Sequence, residues 1–442
     1  MIDFDVFDAV LKLGIGVSQG DNRAMFDLLS RVHPLEIKRY ATGREHNGWV
    51  IPHRWQVDRA VIRKDGRTLF DAAVHPMAVA GSSSSFSGRV DKARLDRHVF
   101  FSREHPDAYV FHCIFNYRPW ESHWGFCIPW EIYGQWGEGE YEVDLSTRFE
   151  QDEMLVGQAF HQGSGQETVV FNAHTCHCCQ ANDGLSGVFA ILELFKRLAG
   201  RATRHNYLAV LAPEHIGTVF YLADMPRGER QRIKQGCFVE MVGSDTPLVL
   251  QESFTGQAVI DRVARHVLSQ VQPDLRVGAF RTIVGNDETV WEAPGIEVPM
   301  ISVSRWPYPQ YHTSRDDLSI MSPERLEETV DALEAMVDVL ERDAVPTRRF
   351  EGLVALSNPR YNLYVERPDP VVEKNLSPLE LRLGQVQDLL PRYLDGQWSV
   401  FEMAERFGVP FERLLAHLER FGEKGLVDMR PVESLAHYAR RR

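Results

Sequence analysis

Residues 168–187 read TVVFNAHTCHCCQANDGLSG, and the rest of the chain is read from that stretch. Residues 168–171 are a β-branched and aromatic run of the kind that forms a buried strand. Beyond it Leu185, Val188, Phe189, Leu192 and Phe195 recur at spacings of three and four, the apolar stripe of a helix that Gly200 would end. Between strand and helix lie His174, Cys176, His177, Asn182 and Asp183. Open α/β sheets build their sites at such turns.

The same alternation continues outward to about residue 342. It predicts strands over 207–211, 237–242, 248–251 and 298–303, and a helix over 258–268. A last helix opens at Ser322-Pro323 and runs through Leu326, Val330, Leu333, Val337 and Leu340 to about Arg342. This is the pattern of an α/β three-layer core around a mixed, mostly parallel sheet. Residues 46–150 differ. Their segments are short and broken by Gly, Pro and Ser, and Trp49, Trp55, Trp120, Trp124, Trp130 and Trp136 gather there. They read as an inserted β-rich domain, which makes the catalytic domain discontinuous over 1–45 and 151–345. Pro346, Pro359, Pro368 and Pro370 mark a linker over 346–376. Residues 377–442 place two amphipathic segments around Gly408-Val409-Pro410, the pattern of a winged-helix domain.

Composition narrows the function classes. The chain has 442 residues, enough for several domains, and a net charge of −13 that repels phosphate backbones and anionic membranes. No stretch approaches the roughly 18 apolar residues of a membrane helix. Asp3, Asp5 and Asp8 stand where a secretion signal needs basic residues. Six cysteines are too few for a disulfide scaffold, so a cytoplasmic protein is expected. In the second amphipathic segment of 377–442, Glu412, Glu419 and Glu423 balance Arg413, Arg420 and Lys424. That balance favours packing, homo-oligomer formation or a lid over groove binding in DNA.

Four separated segments put metal-competent residues at predicted strand ends: His174 to Gly187, Glu214-His215 before Gly217, Glu240 before Gly243, and Tyr311-His312 through Asp316-Asp317. Imidazole and carboxylate are the donors zinc takes in hydrolytic sites. Each residue also has a plainer role available. A histidine beside a turn commonly just hydrogen-bonds, Asp183 could cap a helix, and Cys176, Cys178 and Cys179 read as small buried fillers. Glu240 is harder to explain away, because an ionised carboxylate in an apolar strand needs a cation or strong partner.

Together these segments resemble the zinc aminopeptidase superfamily, whose sequences run His, then Asp in an (N/D)-D-x-x-S-G turn, then Glu-Glu-x-G, an acidic strand-end ligand and a late His. More closely the chain resembles a bacterial aminopeptidase-like family with a β insertion and a C-terminal winged helix. That resemblance is carried by Trp49-Val-Ile-Pro-His-Arg-Trp55, Trp124-Gly-Phe-Cys127, Cys176-His177, Asn182-Asp183 with Ser186-Gly187, Pro213-Glu214 with Ile216-Gly217, Asp287-Glu288, Ala293-Pro294-Gly295 and Tyr311-His312-Thr313-Ser314.

The resemblance implies one or two zinc ions. His177 and Glu240 would bind one, Asp183 would bridge, and His312 would hold the other, with His174 as the alternative to His177. Position 215 matches a glutamate ligand of the superfamily and is histidine here, while Glu240 replaces its usual Asp. Glu214 falls on the general base, which would activate a zinc-bound water for attack on an amide and then protonate the leaving amine. Asp287 and Glu288 are candidates for binding a substrate amino group or for supporting a ligand, and Trp306 and Tyr311 for walling the pocket. The implied substrate is a small peptide or aminoacylated metabolite. A deacylase or glutaminyl-cyclase-like enzyme on the same site, or a ligand-sensing DNA-binding regulator, are the alternatives.

Overall fold

The structure, a computed structural model, describes residues 2–112, 114–366 and 377–440. Residues 367–376, the last part of the expected linker with Pro368 and Pro370, lie outside them.

Eight strands form the main sheet: β1 (Glu36–Ala41), β2 (Glu153–His161), β3 (Thr168–His174), β4 (Asn206–Ala212), β5 (Ile233–Val239), β6 (Val249–Gln251), β7 (Arg276–Gly278) and β8 (Met300–Ser304). Their order is β1-β2-β4-β3-β5-β8-β6-β7. The centre is parallel, β4 and β5 flanking β3 and β8 following β5. The sheet is mixed as expected: β6 and β7 also pair parallel, whereas β1, β2 and β4 pair antiparallel and so do β6 and β8. Residues of β3 and β4 are buried throughout, as a strand covered on both faces requires.

Helices cover the two faces. On one lie α1 (Ser186–Leu198), α3 (Val259–Val271) and α4 (Pro323–Arg342), which share an apolar core with β3 and β5. On the other lies α2 (Ile216–Asp224), with Ile216 and Phe220 packed among Val170, Val210, Phe238 and Trp291. Ser322 caps α4 by accepting from the Arg325 amide, with Pro323 in the first turn. Gly187 lets α1 lie directly on the end of β5. A Cβ there would stand 1.9 Å from the Val239 carbonyl oxygen, so only glycine permits the approach.

Between β1 and β2, residues 54–64, 67–71, 86–91 and 140–150 form a four-stranded antiparallel sheet. It has its own apolar cluster around Ile62, Phe126, Tyr141 and Leu145. After α4, Ala344–Arg348 pairs with Val427–Pro431, so the first residues of the expected linker are a strand. Pro346 fits because this is a two-stranded ribbon, where a missing backbone donor is tolerated. Helices Val400–Phe407 and Phe411–Glu423 bury Phe401, Leu414, Leu418 and Phe421 in the core that α1, α3 and α4 share. No helix among the described residues is long and apolar enough to cross a membrane.

Candidate metal centre

The site stands at the carboxyl ends of the three central strands. His174 is the last residue of β3, Glu240 directly follows β5, and Glu214 lies two residues past β4. A π-turn over Ala181–Leu185 carries Asp183 in from the start of α1. The Asn-Asp-x-x-Ser-Gly sequence works as a clamp for this turn. Asn182 Oδ1 accepts from the Gly243 amide at 2.8 Å, and Ser186 Oγ accepts from the Val242 amide at 2.9 Å. From below, Asp316 accepts the backbone amides of Asn182 and Asp183 at 2.6 and 3.1 Å, and the Tyr308 hydroxyl donates to Asp316.

Two imidazole–carboxylate clusters result, and they share Asp183. In one, Asp183 Oδ2 is 3.0 Å from His177 Nε2 and 3.4 Å from His312 Nε2. In the other, His174 Nε2 is 3.3 Å from Asp183 Oδ1 and 3.4 Å from Glu240 Oε2. The structure thus brings together His177, Asp183, Glu240 and His312, but it groups His177 with His312 and sets His174, the alternative ligand, with Glu240. Cys176, expected as a filler, lies with its Sγ 3.3 Å from His174 Nδ1, and Cys178 and Cys179 are only partly buried.

Does this set suit a metal? His177 Nδ1 donates to the Cys178 carbonyl at 2.8 Å, which in the neutral ring leaves Nε2 as a lone pair facing a carboxylate oxygen. His174 Nε2 and Glu240 Oε1 are buried without a hydrogen-bond partner. Burial pushes the Glu240 carboxyl up to about 8, with His174 opposing. Burial also opposes the charge on Asp183, but His174, His177 and His312 outweigh it and hold that carboxyl well below the usual range. Imidazole nitrogens and carboxylate oxygens that converge this closely need protons or a cation between them, and the donors are those zinc prefers. The residues fit.

His215 joins neither cluster. Its ring lies parallel to Trp49 at 6.1 Å, its Nδ1 is 3.5 Å from Glu214 Oε1, and its backbone amide donates to Asp287. Burial opposes ionisation of Glu214, but His215 and His174 outweigh it and keep the carboxyl below its ordinary value. Asp287 and Glu288 are both buried. Asp287 also accepts from Thr218, and Glu288 accepts from Gln251 and from the Asn286 amide. Tyr311 stacks on His312 at 3.9 Å, and Trp306 meets Tyr311 edge-on.

Several partners carried no sequence signal. Asn286 Nδ2 donates to Glu240 Oε2 at 2.7 Å, beside the acidic pair that drew attention. The Tyr117 hydroxyl donates to Glu214 Oε2 at 3.2 Å. Phe111 stacks on His177 at 3.9 Å and stands edge-on to His312, and its amide donates to the His312 carbonyl. The residues between β1 and β2 therefore wall the centre. A search for aromatics in that region would have found Phe111 and Tyr117 only among many that pack.

Against known proteins, a curated relative from Clostridium acetobutylicum, described as a candidate polysaccharide biosynthesis protein with an aminopeptidase-like domain, is 25% identical over 326 residues. The match covers 73% of this chain and 74% of that protein. The crystal structure of a candidate peptidase from the same species aligns with a TM-score of 0.79 at 22% identity, over 96% of this chain and 95% of that one. A zinc aminopeptidase from Bacillus subtilis aligns with a TM-score of 0.57 at 13% identity, over 76% and 93%. The fold is therefore shared with aminopeptidases. The family model described as Domain of unknown function (DUF4910) matches residues 9–343, a span that holds every cluster residue and Glu214. This chain belongs to the DUF4910 family.

Proposed function

We propose that this protein is a zinc-dependent hydrolase of amide bonds in small peptides or aminoacylated metabolites. The carrying observation is the pair of clusters joined at Asp183, with Glu214 outside both and within hydrogen-bond reach of Tyr117. His177, His312 and Asp183 would hold one ion, and His174, Glu240 and Asp183 a second. Bound zinc polarises a carbonyl and makes water acidic near neutral pH. Glu214 takes the water proton and returns it to the departing amine. Tyr117 and His215 fix its orientation from two sides, so His215 acts on the base and not as a metal ligand. Asn286 and the buried Glu288 hold Glu240 in place through one chain of hydrogen bonds.

In the same reading, 1–45 and 151–345 are the catalytic domain, 46–150 an insertion that narrows access, and 377–442 a winged helix used for packing in a cytoplasmic enzyme. Support for the packing role comes from Arg342 of α4, which pairs with Glu412 at 2.6 Å on the second helix of that unit.

Elemental analysis of protein purified without added metal should find one or two zinc per chain, and Glu214→Gln should keep that zinc while losing at least about 10³-fold in turnover. Zinc near zero with activity untouched by chelator would overturn the metal assignment. Wild-type turnover in Glu214→Gln would overturn the base.

A further inference from the structure

Beside His177 the chain leaves a small pocket, lined by neither Asp183 nor Glu240, with a cavity volume of about 70 Å³. Val17, Ser18, Trp55, Met77, Phe111 and His177 are among the residues that line it. Three properties distinguish it from a packing defect. First, none of its lining residues is Asp, Glu, Lys or Arg, and burial together with His123 holds the lining His112 imidazole below its ordinary pKa, hence neutral. Second, the Ser18 hydroxyl is buried with no hydrogen-bond partner, although Ser18 is only 3% exposed. Buried hydroxyls without a partner are uncommon and costly, and a ligand group can supply one. Third, the loop that carries Ser18 is fixed. The Gly16 amide donates to Asn22 Oδ1 at 3.1 Å, Asn22 Nδ2 donates back to the Gly16 carbonyl at 2.6 Å, and Gly16 forms a β-bridge with His177.

The geometry points to this pocket as the subsite for one side chain of the substrate, selecting an uncharged group of threonine or asparagine size that hydrogen-bonds to Ser18. The inference rests on the hydrolase reading, since it takes the reacting carbonyl to be held at His177, Asp183 and His312. The size follows from volume, because about 70 Å³ is room for a few heavy atoms and suits a short side chain better than a bulky one. The neutrality follows from the lining, because no Asp, Glu, Lys or Arg side chain there would compensate a charged group.

Amino acid hydroxamates separate the parts of the claim, since they share one metal-chelating head and differ in side chain. Calorimetric titration of the zinc-loaded full chain with acetohydroxamate and the L-threonine, L-valine, L-aspartate, L-lysine and L-tryptophan hydroxamates is the test. Threonine should bind roughly five- to tenfold tighter than valine, the worth of one neutral hydrogen bond. Aspartate, lysine and tryptophan should bind at least roughly 100-fold more weakly than threonine. Ser18→Ala should erase the threonine preference and leave valine unchanged. Ser18→Leu, which fills the pocket, should weaken threonine and valine and spare acetohydroxamate, so that a misfolded variant is recognised by loss of acetohydroxamate binding. Equal binding of all side chains, or a threonine preference that survives in Ser18→Ala, overturns the subsite while the hydrolase reading stands. Failure of acetohydroxamate to bind the zinc-loaded wild type overturns both.

Discussion

Two outlying parts of the chain grip the central strand β3 at opposite ends. Residues 109–112 and 114–117 come to its carboxyl end, where Phe111 stacks on His177 and Tyr117 reaches Glu214. Residues 400–438 come to its amino end, where Ser434 and the Leu435 amide donate to Glu167 just before β3. Seven residues of strand, roughly 23 Å, separate the two. The first part is built into the candidate chemistry, whereas the second is built into the core. The C-terminal unit, which the sequence left open as a lid, therefore packs away from the metal centre. Substitutions in the two parts should separate activity from stability.

The largest effect that sharpens this contrast lies between the two grips. Asp183→Ala removes the carboxylate common to both clusters, and zinc content and turnover should fall together, the latter by more than about 10³-fold. Elemental analysis and rates on one preparation check it. Next is Phe401→Ala in the C-terminal unit, which empties a fully buried site and should cost about 3–5 kcal/mol in urea unfolding. Its zinc content and its kcat/KM per folded molecule should stay at the wild-type level. A loss of kcat/KM there would break the contrast.

Acid should act through the same unit. Burial pushes the His417 imidazole down to about 4, with Arg420 adding repulsion. Protonation then favours the unfolded chain, so the stability His417 contributes is full above its ordinary pKa near 6.5 and falls as pH drops towards 4, by up to about 3 kcal/mol. Asp343 runs the opposite way. Burial pushes it up to about 6, so its contribution is full below its ordinary value and lost as pH rises through 6. Urea midpoints from pH 7 to 4 for wild type and His417→Leu isolate the histidine, because Asp343 is common to both. The slope difference should be positive with pH. The smallest effect belongs to Tyr117→Phe, which deletes one hydrogen bond to Glu214 and should lower kcat roughly tenfold with the Tm unmoved.

What could be read from the sequence follows a physical line. The strand-to-helix rhythm of 168–342 was legible because burial on both faces of β3 and β4 leaves continuous apolar runs, and the ligand candidates sit where those runs stop. Pairing direction was not legible, since apolar periodicity says which face is buried and nothing about which neighbour a strand takes. That is why the antiparallel β1, β2 and β6 went unread. Ala344–Arg348 was assigned to a linker because Pro346 argues against a strand, and only its distant partner Val427–Pro431 explains why it is one. At the site, Asn286 and Asp316 act through hydrogen bonds to residues 46 and 134 positions away. Asp316 stands in a segment of metal-competent residues, but no local pattern shows that it holds distant amides or that Asn286 holds Glu240. His215 was assigned to metal by its place in a motif, whereas the structure sets it against Trp49 and Glu214.

The strap that ties Phe111 to His312 and Tyr109 to Ser314 joins positions 201 and 205 residues apart along the chain. Its ties are a few hydrogen bonds between loop residues and not a strand ladder, so local opening can release it at less cost than opening the sheet. The sheet and its helices can therefore stay formed while the wall over His177 is open. Amides near 109–112, 114–117 and 312–314 should then exchange with deuterium ahead of those in β3, and a chain in that state would be folded by most spectroscopic measures yet blind to its substrate.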